Sequence, residues 1–170
     1  KTIASLVAAR GGRAFYVGGF VRDRVIAEVT GADPDEARIP DIDIEVHGLE
    51  PDRLYGLLEG IGEPLAYGSS FGIYSLKGSQ IDVALPRKER SVGGGHRDFE
   101  VDVDPFIGTE SAARRRDFTM NAMAVSAEGI ISDPFGGMRD IADQCIRCVG
   151  DPEQRFGEDS LRILRALRRK

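Results

Sequence analysis

Val17-Gly18-Gly19-Phe20-Val21-Arg22-Asp23, followed by Asp41-Ile42-Asp43-Ile44-Glu45-Val46, is the stretch from which the fold is read. In the second segment apolar and acidic residues alternate. Successive side chains of a strand face opposite sides, so Ile42, Ile44 and Val46 make one apolar face while Asp41 and Asp43 point the other way, with Glu45 beyond them. In the first segment a short strand, Ala14 to Val17, runs into two glycines and then into helical spacing from Val21 to Val29. Strand, glycine turn, helix and strand in that order predict an α/β arrangement with its core on the apolar side of a sheet.

Two carboxylates on one strand face lie about 6.6 Å apart and repel by roughly 2.5 kcal/mol at an effective dielectric near 20. A divalent cation removes that penalty. Mg²⁺ takes oxygen ligands from one or two carboxylates and completes its shell with substrate phosphates and water. The glycine pair supplies a matching anion site: backbone N–H groups at a helix start, the positive end of the helix, and the charged fork of Arg22. A glycine pair before a helix is commonly an ordinary tight turn. Its conjunction with the two aspartates points to a metal-dependent site for a triphosphate.

Outward from this unit, the pattern predicts a helix at Thr2 to Ala9, a surface loop at Gly31 to Pro40 and a helix at Pro51 to Leu58 opening on proline. Strands at Phe71 to Leu76 and Gln80 to Leu85 flank Lys77-Gly78-Ser79, a hairpin signal. Pro86 to Thr109 reads as a long mobile loop around Gly93-Gly94-Gly95, with strand character only near Phe99 to Val103. A helical turn from Arg115 to Ala122, a strand at Met123 to Ser126, a turn at Glu128-Gly129 and a short helix after Asp133-Pro134-Phe135-Gly136-Gly137 follow. From Pro152 onward the pattern is helical.

Three further groups carry candidate chemistry. Asp82 lies opposite the apolar face of Ile81, Val83 and Leu85, where it is a third acidic group for the site or one residue of a solvated strand face. Glu45 is a weaker candidate. Arg115-Arg116-Asp117-Phe118-Thr119-Met120-Asn121-Ala122 concentrates phosphate-binding cations with an acid and an amide suited to a ribose, or is a charged helix start capped by Asp117. On the last helix, Leu161, Leu164 and Leu167 are expected to bury one side while Arg162, Arg165 and Arg169 line another. Glu158 and Arg162 are spaced for an i,i+4 salt bridge, and Asp159 with Arg162 can offer an acceptor and a planar donor fork to a nucleobase edge. Cys145-Ile146-Arg147-Cys148 has no second pair and no histidine at ligand spacing, which argues against zinc or redox chemistry.

With 170 residues and 41% hydrophobic content the chain can bury a core of one domain, or one domain and a fragment. No apolar run reaches the ~20 residues that span a bilayer, no signal-peptide layout opens the sequence, and two cysteines make no disulfide framework, so the cytoplasm is expected and no membrane partner. A net charge of −5 argues against binding nucleic acid by bulk electrostatics, leaving local basic patches such as Arg114-Arg115-Arg116. The absent initiator Met and the helical patterns at both ends predict an excised part of a longer protein.

In order, Gly18-Gly19-x-x-Arg22-Asp23, Asp41-x-Asp43, Arg115-Arg116-Asp117-Phe118-Thr119-x-Asn121-Ala122, Asp133-Pro134-x-Gly136-Gly137-x-x-Asp140 and Glu158-Asp159-x-x-Arg162 closely resemble the class II tRNA nucleotidyltransferases and bacterial poly(A) polymerases. The resemblance covers nearly the whole chain, with a longer connection between Asp23 and Asp41. It implies an α/β (α+β) polymerase-beta-like nucleotidyltransferase head over residues 1–144, a small mixed sheet flanked by helices, and the beginning of a helical neck over 145–170. It implies that Asp41 and Asp43 hold Mg²⁺, two ions being expected; Asp82 is the candidate third catalytic acid from the strand pattern, not from the resemblance. Gly18, Gly19 and Arg22 would hold the triphosphate, Asp117 the ribose hydroxyl, and Arg116 and Asn121 the nucleotide. Asp159 and Arg162, with Arg165 beside them, would pair with the base of CTP or ATP, and Arg87 to Phe99 would be the flexible loop that helps switch from C to A addition. The activity so implied is template-independent addition of CMP and AMP to the 3′ end of tRNA, which further domains would grip. CC-only, A-only and poly(A) products are the nearby alternatives, and a non-catalytic nucleotide- or RNA-binding module is the remote one.

Overall fold

The computed structural model describes residues 2–31, 41–66, 72–91 and 99–168. Its elements in chain order are α1 (Thr2–Ala8), β1 (Arg13–Val17), α2 (Gly18–Thr30), β2 (Ile42–His47), α3 (Pro51–Glu59), β3 (Pro64–Ala66), β4 (Ile73–Leu76), β5 (Ile81–Ala84), β6 (Arg87–Ser91), β7 (Phe99–Val103), α4 (Gly108–Arg114), a 3₁₀ turn (Thr119–Asn121), β8 (Ala124–Ser126), β9 (Ile131–Ser132), α5 (Gly137–Ala142), α6 (Pro152–Glu158) and α7 (Leu161–Leu167). Seven strands form one sheet in the order β3-β4-β5-β2-β1-β8-β9. Among the described residues only β2 and β5 pair in parallel; their neighbours are antiparallel. This is the mixed sheet with flanking helices that the sequence predicts.

The alternation in β2 decides which face is which. Ile44 and Val46 share a face with Tyr16, Ala14 and Val83, their register partners on β1 and β5, and α1 and α3 cover that face with Ile3, Val7, Leu54, Leu57 and Leu58. Burying a side chain of this kind contributes roughly 1.5–3 kcal/mol, which gives the apolar face a fixed inward orientation. Helix α2 extends the core through Val21 and Val25, packed with Met123, Tyr16 and Val125. With the apolar face so covered, Asp43, Glu45 and Asp82 must emerge on the other.

Four expectations change. Helix α2 begins at Gly18 rather than Val21, so the glycine pair is its first turn and not a turn before it. The span from Pro86 to Thr109 is not a long loop: β6 and β7 pair antiparallel from Arg87↔Val103 to Ser91↔Phe99 and α4 starts at Gly108, while residues 92–98, with Gly93 to Gly95, fall outside the described part. The charged and polar side chains of Arg87 to Ser91 hid this strand, because a two-stranded ribbon has little apolar face to show. The helical turn expected over Arg115 to Ala122 is confined to the 3₁₀ turn Thr119–Asn121, since α4 ends at Arg114 and the residues between are irregular.

The last correction concerns the final helix. Two short helices, α6 and α7, stand where one helical run was expected, with Asp159 and Ser160 between them. Leu161, Leu164 and Leu167 are 61%, 59% and 62% exposed, and the residue of α7 that is buried is Arg162, at 7%. Arginine is drawn inward here because carbonyl and carboxylate partners await it, which periodicity alone does not reveal. The predicted loop at Gly31 to Pro40 falls almost wholly outside the described residues, as does Arg169.

Candidate active site

Asp43 lies directly beside Asp82 across the parallel β2–β5 pair and beside Val17, the residue that precedes Gly18, on β1. Asp41 stands one residue before the strand and is exposed. Burial pushes the Asp43 carboxyl above its ordinary value; Arg116 pulls it back, and the charges of Asp82 and Asp41 push it up further. Both other predicted acids therefore act on Asp43. Ser75, the register partner of Asp82 on β4, donates a hydrogen bond to Asp82 Oδ1.

Gly18 is where the acid and the helix start meet. Its φ of +70° is left-handed, and a Cβ there would lie 2.9 Å from Asp43 Oδ2 and 3.2 Å from Arg116 Nη1, so glycine is required on both counts. Val17 occupies the cap position of α2 and has no side-chain oxygen to offer the first-turn N–H groups, which suits that end to an anion. A Cβ on Gly19 would lie 3.5 Å from Arg22 Nη2, in ordinary van der Waals contact, so Gly19 stands beside Arg22 without being sterically required there.

Glu45, expected as a weak metal candidate, has another task. It is 4% exposed, receives a 3.0 Å hydrogen bond from His47 Nε2, and faces Arg116 at 3.6 Å and Arg115 at 3.8 Å. Burial would raise its carboxyl, but the His47 hydrogen bond and the charges of Arg116, His47 and Arg115 outweigh this and hold it below the ordinary glutamate value. Glu45 thus fixes the arginine pair beside Asp43.

A second network begins at Arg22, which is buried rather than presented as an open fork. Its Nε and Nη2 meet Asp23 Oδ1 at 2.8 and 2.6 Å, and its Nη1 donates to Asn121 Oδ1 at 2.8 Å. Asn121 Nδ2 donates to Asp117 Oδ1 at 3.0 Å, an oxygen that also accepts the Phe118 N–H. Asp117 Oδ2 faces Arg165 Nε at 3.5 Å, and Arg165 Nη2 reaches Asp159 Oδ2 at 3.1 Å. Asp159 in turn lies 3.9 Å from Arg162 Nε, and Glu158 pairs with Arg162 at 3.7 Å, the i,i+4 contact that spacing predicts. The structure therefore gathers the predicted residues into two groups, Gly18, Asp41, Asp43, Asp82 and Arg116 in one, and Arg22, Asp117, Asn121, Asp159, Arg162 and Arg165 in the other.

The aspartate–proline–glycine segment serves as a support. Asp133 accepts the N–H groups of Gly137 and Met138, and Asp140 is buried, accepting from Thr119 Oγ1 at 2.6 Å and from Arg147. A Cβ on Gly137 would fall 2.4 Å from Thr119 O, so the close approach of α5 to the 3₁₀ turn needs glycine. That packing sets where Asn121 stands. Cys145 and Cys148 are free thiols. A cavity of about 230 Å³ lined by Ile3, Ala4, Tyr16, Ile42, Ile44 and Ile81 opens on the apolar side of the sheet, away from the carboxylates.

Sequence reasoning missed Arg155 and Ser75. Arg155 on α6 donates from Nη2 to the carbonyls of Arg115 and Arg116 at 2.8 and 3.0 Å. Nothing in its local pattern separates it from any helical surface arginine. Ser75 follows from the hairpin once its register is known, since it stands opposite Asp82.

A mixed sheet carrying paired acids beside a glycine helix start defines a nucleotidyltransferase head. Residues 14–147 match the poly A polymerase head domain, and the chain belongs to that family, the head of the class II tRNA nucleotidyltransferases. It is 39% identical over 155 residues to a multifunctional CCA protein of Stenotrophomonas maltophilia, covering 91% of this chain and 34% of the relative. It is 36% identical over 162 residues to a CCA-adding enzyme of Anoxybacillus flavithermus, covering 93% of this chain and 36% of that protein. Among solved structures, the Bacillus stearothermophilus CCA-adding enzyme in complex with CTP superposes with a TM-score of 0.76 at 32% identity, over 98% of this chain and 36% of that one. A tRNA nucleotidyltransferase complexed with a primer tRNA and an incoming ATP analog gives 0.70 at 31% identity, over 98% and 43%. The chain spans about a third of the length of the curated relatives it matches. Among the described residues no helix is long and apolar enough to cross a membrane.

Proposed function

We propose that the intact protein adds CMP and AMP from CTP and ATP to the 3′ end of tRNA without a nucleic-acid template, releasing pyrophosphate. The observation that carries this is the gathering of Asp43, Asp82, Gly18 and Arg116 in one group, accompanied by a second group that runs from Arg22 to Asp159 and Arg162. It is supported by the likeness to CCA-adding enzymes, one of them solved with CTP. Residues 1–144 would form the catalytic head and 145–170 the beginning of the neck. Action on tRNA supports a cytoplasmic location.

The residues fit a magnesium site of the substrate-completed kind. No group of three potential ligands is assembled among the described residues, yet Mg²⁺ commonly takes only one or two carboxylates and fills its shell with phosphate and water. Asp41 and Asp43 would hold the metal, with Asp82 beside Asp43, whose carboxyl is raised first by burial and further by the charges of Asp82 and Asp41. Bound Mg²⁺ would neutralise charge on the triphosphate as the α-phosphate is attacked. The chain's own residues supply position: Arg116 and the start of α2 take phosphate oxygens, Asp117 and Asn121 face the ribose, and Asp159 with Arg162 offer an acceptor and donors to the base. The RNA 3′-hydroxyl is the nucleophile, so no protein nucleophile is needed.

Intact protein incubated with tRNA lacking one, two or three terminal nucleotides, each nucleoside triphosphate supplied alone, tests this. Stepwise CMP, CMP and AMP incorporation is expected; AMP alone, CMP alone or a long A tract would assign the narrower or poly(A) activity instead. Asp41→Ala should abolish incorporation while leaving the circular dichroism spectrum unchanged, and undiminished transfer would remove Asp41 from the site.

A further inference from the structure

We infer that Arg155 is a positioning residue that sets the distance between the phosphate end and the base end of the site, and through it the choice of nucleotide; the inference rests on nucleotidyl transfer being the reaction. Arg155 touches both ends with different atoms. Its guanidinium Nη2 donates to the main-chain carbonyls of Arg115 and Arg116, and its Nη1 pairs with Glu158 at 2.8 Å. Its own carbonyl accepts from Arg162 Nη1 at 3.1 Å and from the Asp159 N–H at 3.4 Å.

The two carbonyls lie just beyond the end of α4, where the backbone has no helical partner to satisfy them, and a cation is the preferred group at that pole. The side chain is largely buried, 15% exposed, so these charge-assisted bonds are shielded from water. The residue after Arg115 is Arg116, held beside Asp43, and the residue after Glu158 is Asp159. One guanidinium therefore fastens the backbone that carries the phosphate-side arginine to α6, the helix that runs directly into the base-side pair.

A nucleotide gripped at its phosphates meets Asp159 and Arg162 only if that span matches its own length. Loosening the clamp should let poorly fitting bases be accommodated and correct ones be held less well. Replacing Arg155 by alanine removes the guanidinium but leaves the carbonyl that receives Arg162. The change is thus confined to the span and does not delete the base-side contacts.

The test measures kcat/KM of intact wild-type, Arg155→Ala and Arg155→Lys proteins on tRNA lacking its 3′ CCA, with CTP, UTP, ATP and GTP each supplied alone, beside Glu153→Ala as an exposed control on the same helix. Arg155→Ala should lower the preference of CTP over UTP about tenfold, corresponding to roughly 1.4 kcal/mol, with Arg155→Lys intermediate and Glu153→Ala like wild type. An equal loss on all four nucleotides, or none, in an active wild-type background overturns the inference and leaves the proposed function standing. A wild-type protein that transfers no nucleotide overturns the proposed function itself. Should Arg155→Ala fail to fold by circular dichroism, the CTP/UTP ratio of Arg155→Lys decides: a fall supports the clamp and an unchanged ratio refutes it.

Discussion

Replacing Asp43 with asparagine should stabilise the metal-free chain and abolish its response to magnesium, two effects of opposite sign from one oxygen. Asp43 and Asp82 are register partners on adjacent parallel strands, so their carboxylates stand about 5 Å apart by strand spacing. Their repulsion is roughly 3 kcal/mol at a dielectric near 20 and below 1 kcal/mol in water. Asp82 is exposed, which places the net gain at about 1–2 kcal/mol after screening. Arg116 opposes it, but the net shift of the Asp43 carboxyl is upward. For a chain of 170 residues each kcal/mol moves the midpoint by about 2–4 °C, so a rise of about 2–8 °C is expected by calorimetry at pH 7 in EDTA. The sign with pH is fixed by linkage. A carboxyl raised above its ordinary 3.8 favours the folded state in its protonated form, a contribution fully present below that value and lost as pH rises through the folded pKa. Wild type therefore catches up with Asp43→Asn as the pH falls through the raised folded pKa, and has done so fully below 3.8. Magnesium should raise the wild-type midpoint and leave that of the variant unchanged. A midpoint that falls on substitution, or a gain that persists undiminished in acid, would refute the account of Asp43 as one of several acids crowded together to await a cation.

Glu45→Gln should cost about 3 kcal/mol at pH 7 because Arg115 and Arg116 lose a buried counter-charge; urea titration reads this. The ionised Glu45 stabilises above its ordinary 4.5 and loses that contribution as pH falls through its lower folded value, so the variant's deficit should close in acid. Gly137→Ala places a methyl 2.4 Å from Thr119 O and should destabilise by about 1–3 kcal/mol or more, with proteolysis appearing near the 3₁₀ turn. Arg22→Lys cannot span both Asp23 and Asn121 and should raise KM for nucleoside triphosphates about tenfold while lowering stability by about 1.5–3 kcal/mol, measured by steady-state kinetics and thermal melts.

The acidic face of β2 was legible because a period of two allows only one orientation once Ile44 and Val46 are buried. The glycine pair was legible as an anion site, though its place inside α2 was not: a residue with φ of +70° can open a helix or precede one, and composition does not distinguish them. Asp82 could be named, but not its neighbour, since parallel pairing joins strands far apart in sequence and nothing local encodes the partner. The ribbon β6–β7 was hidden by charge on one of its strands. Periodicity misled at α7, where it buried the leucines and exposed Arg162; the structure does the reverse because hydrogen-bond partners, not apolar contacts, decide the fate of that arginine.

The segment Arg115-Arg116-Asp117 explains why chemistry spread along the chain converges. Its first two side chains turn to Glu45 and its third to Asn121 and Arg165, a divergence that the fixed spacing of a helix or the strict alternation of a strand would not give to three consecutive residues. Irregular backbone carries unsatisfied polar groups unless other parts of the chain meet them. Here the Arg116 N–H reaches Ala113 O, the Asp117 carbonyl accepts from Val149, the Thr119 N–H donates to Arg147 O, and Arg155 takes the carbonyls of Arg115 and Arg116. Three of these four partners come from residues 147–155. The backbone that holds the phosphate-side arginine in place is thus completed by the segment leading into α6 and α7. A perturbation of those helices should be felt at Asp43 although none of their residues touches it among the contacts described.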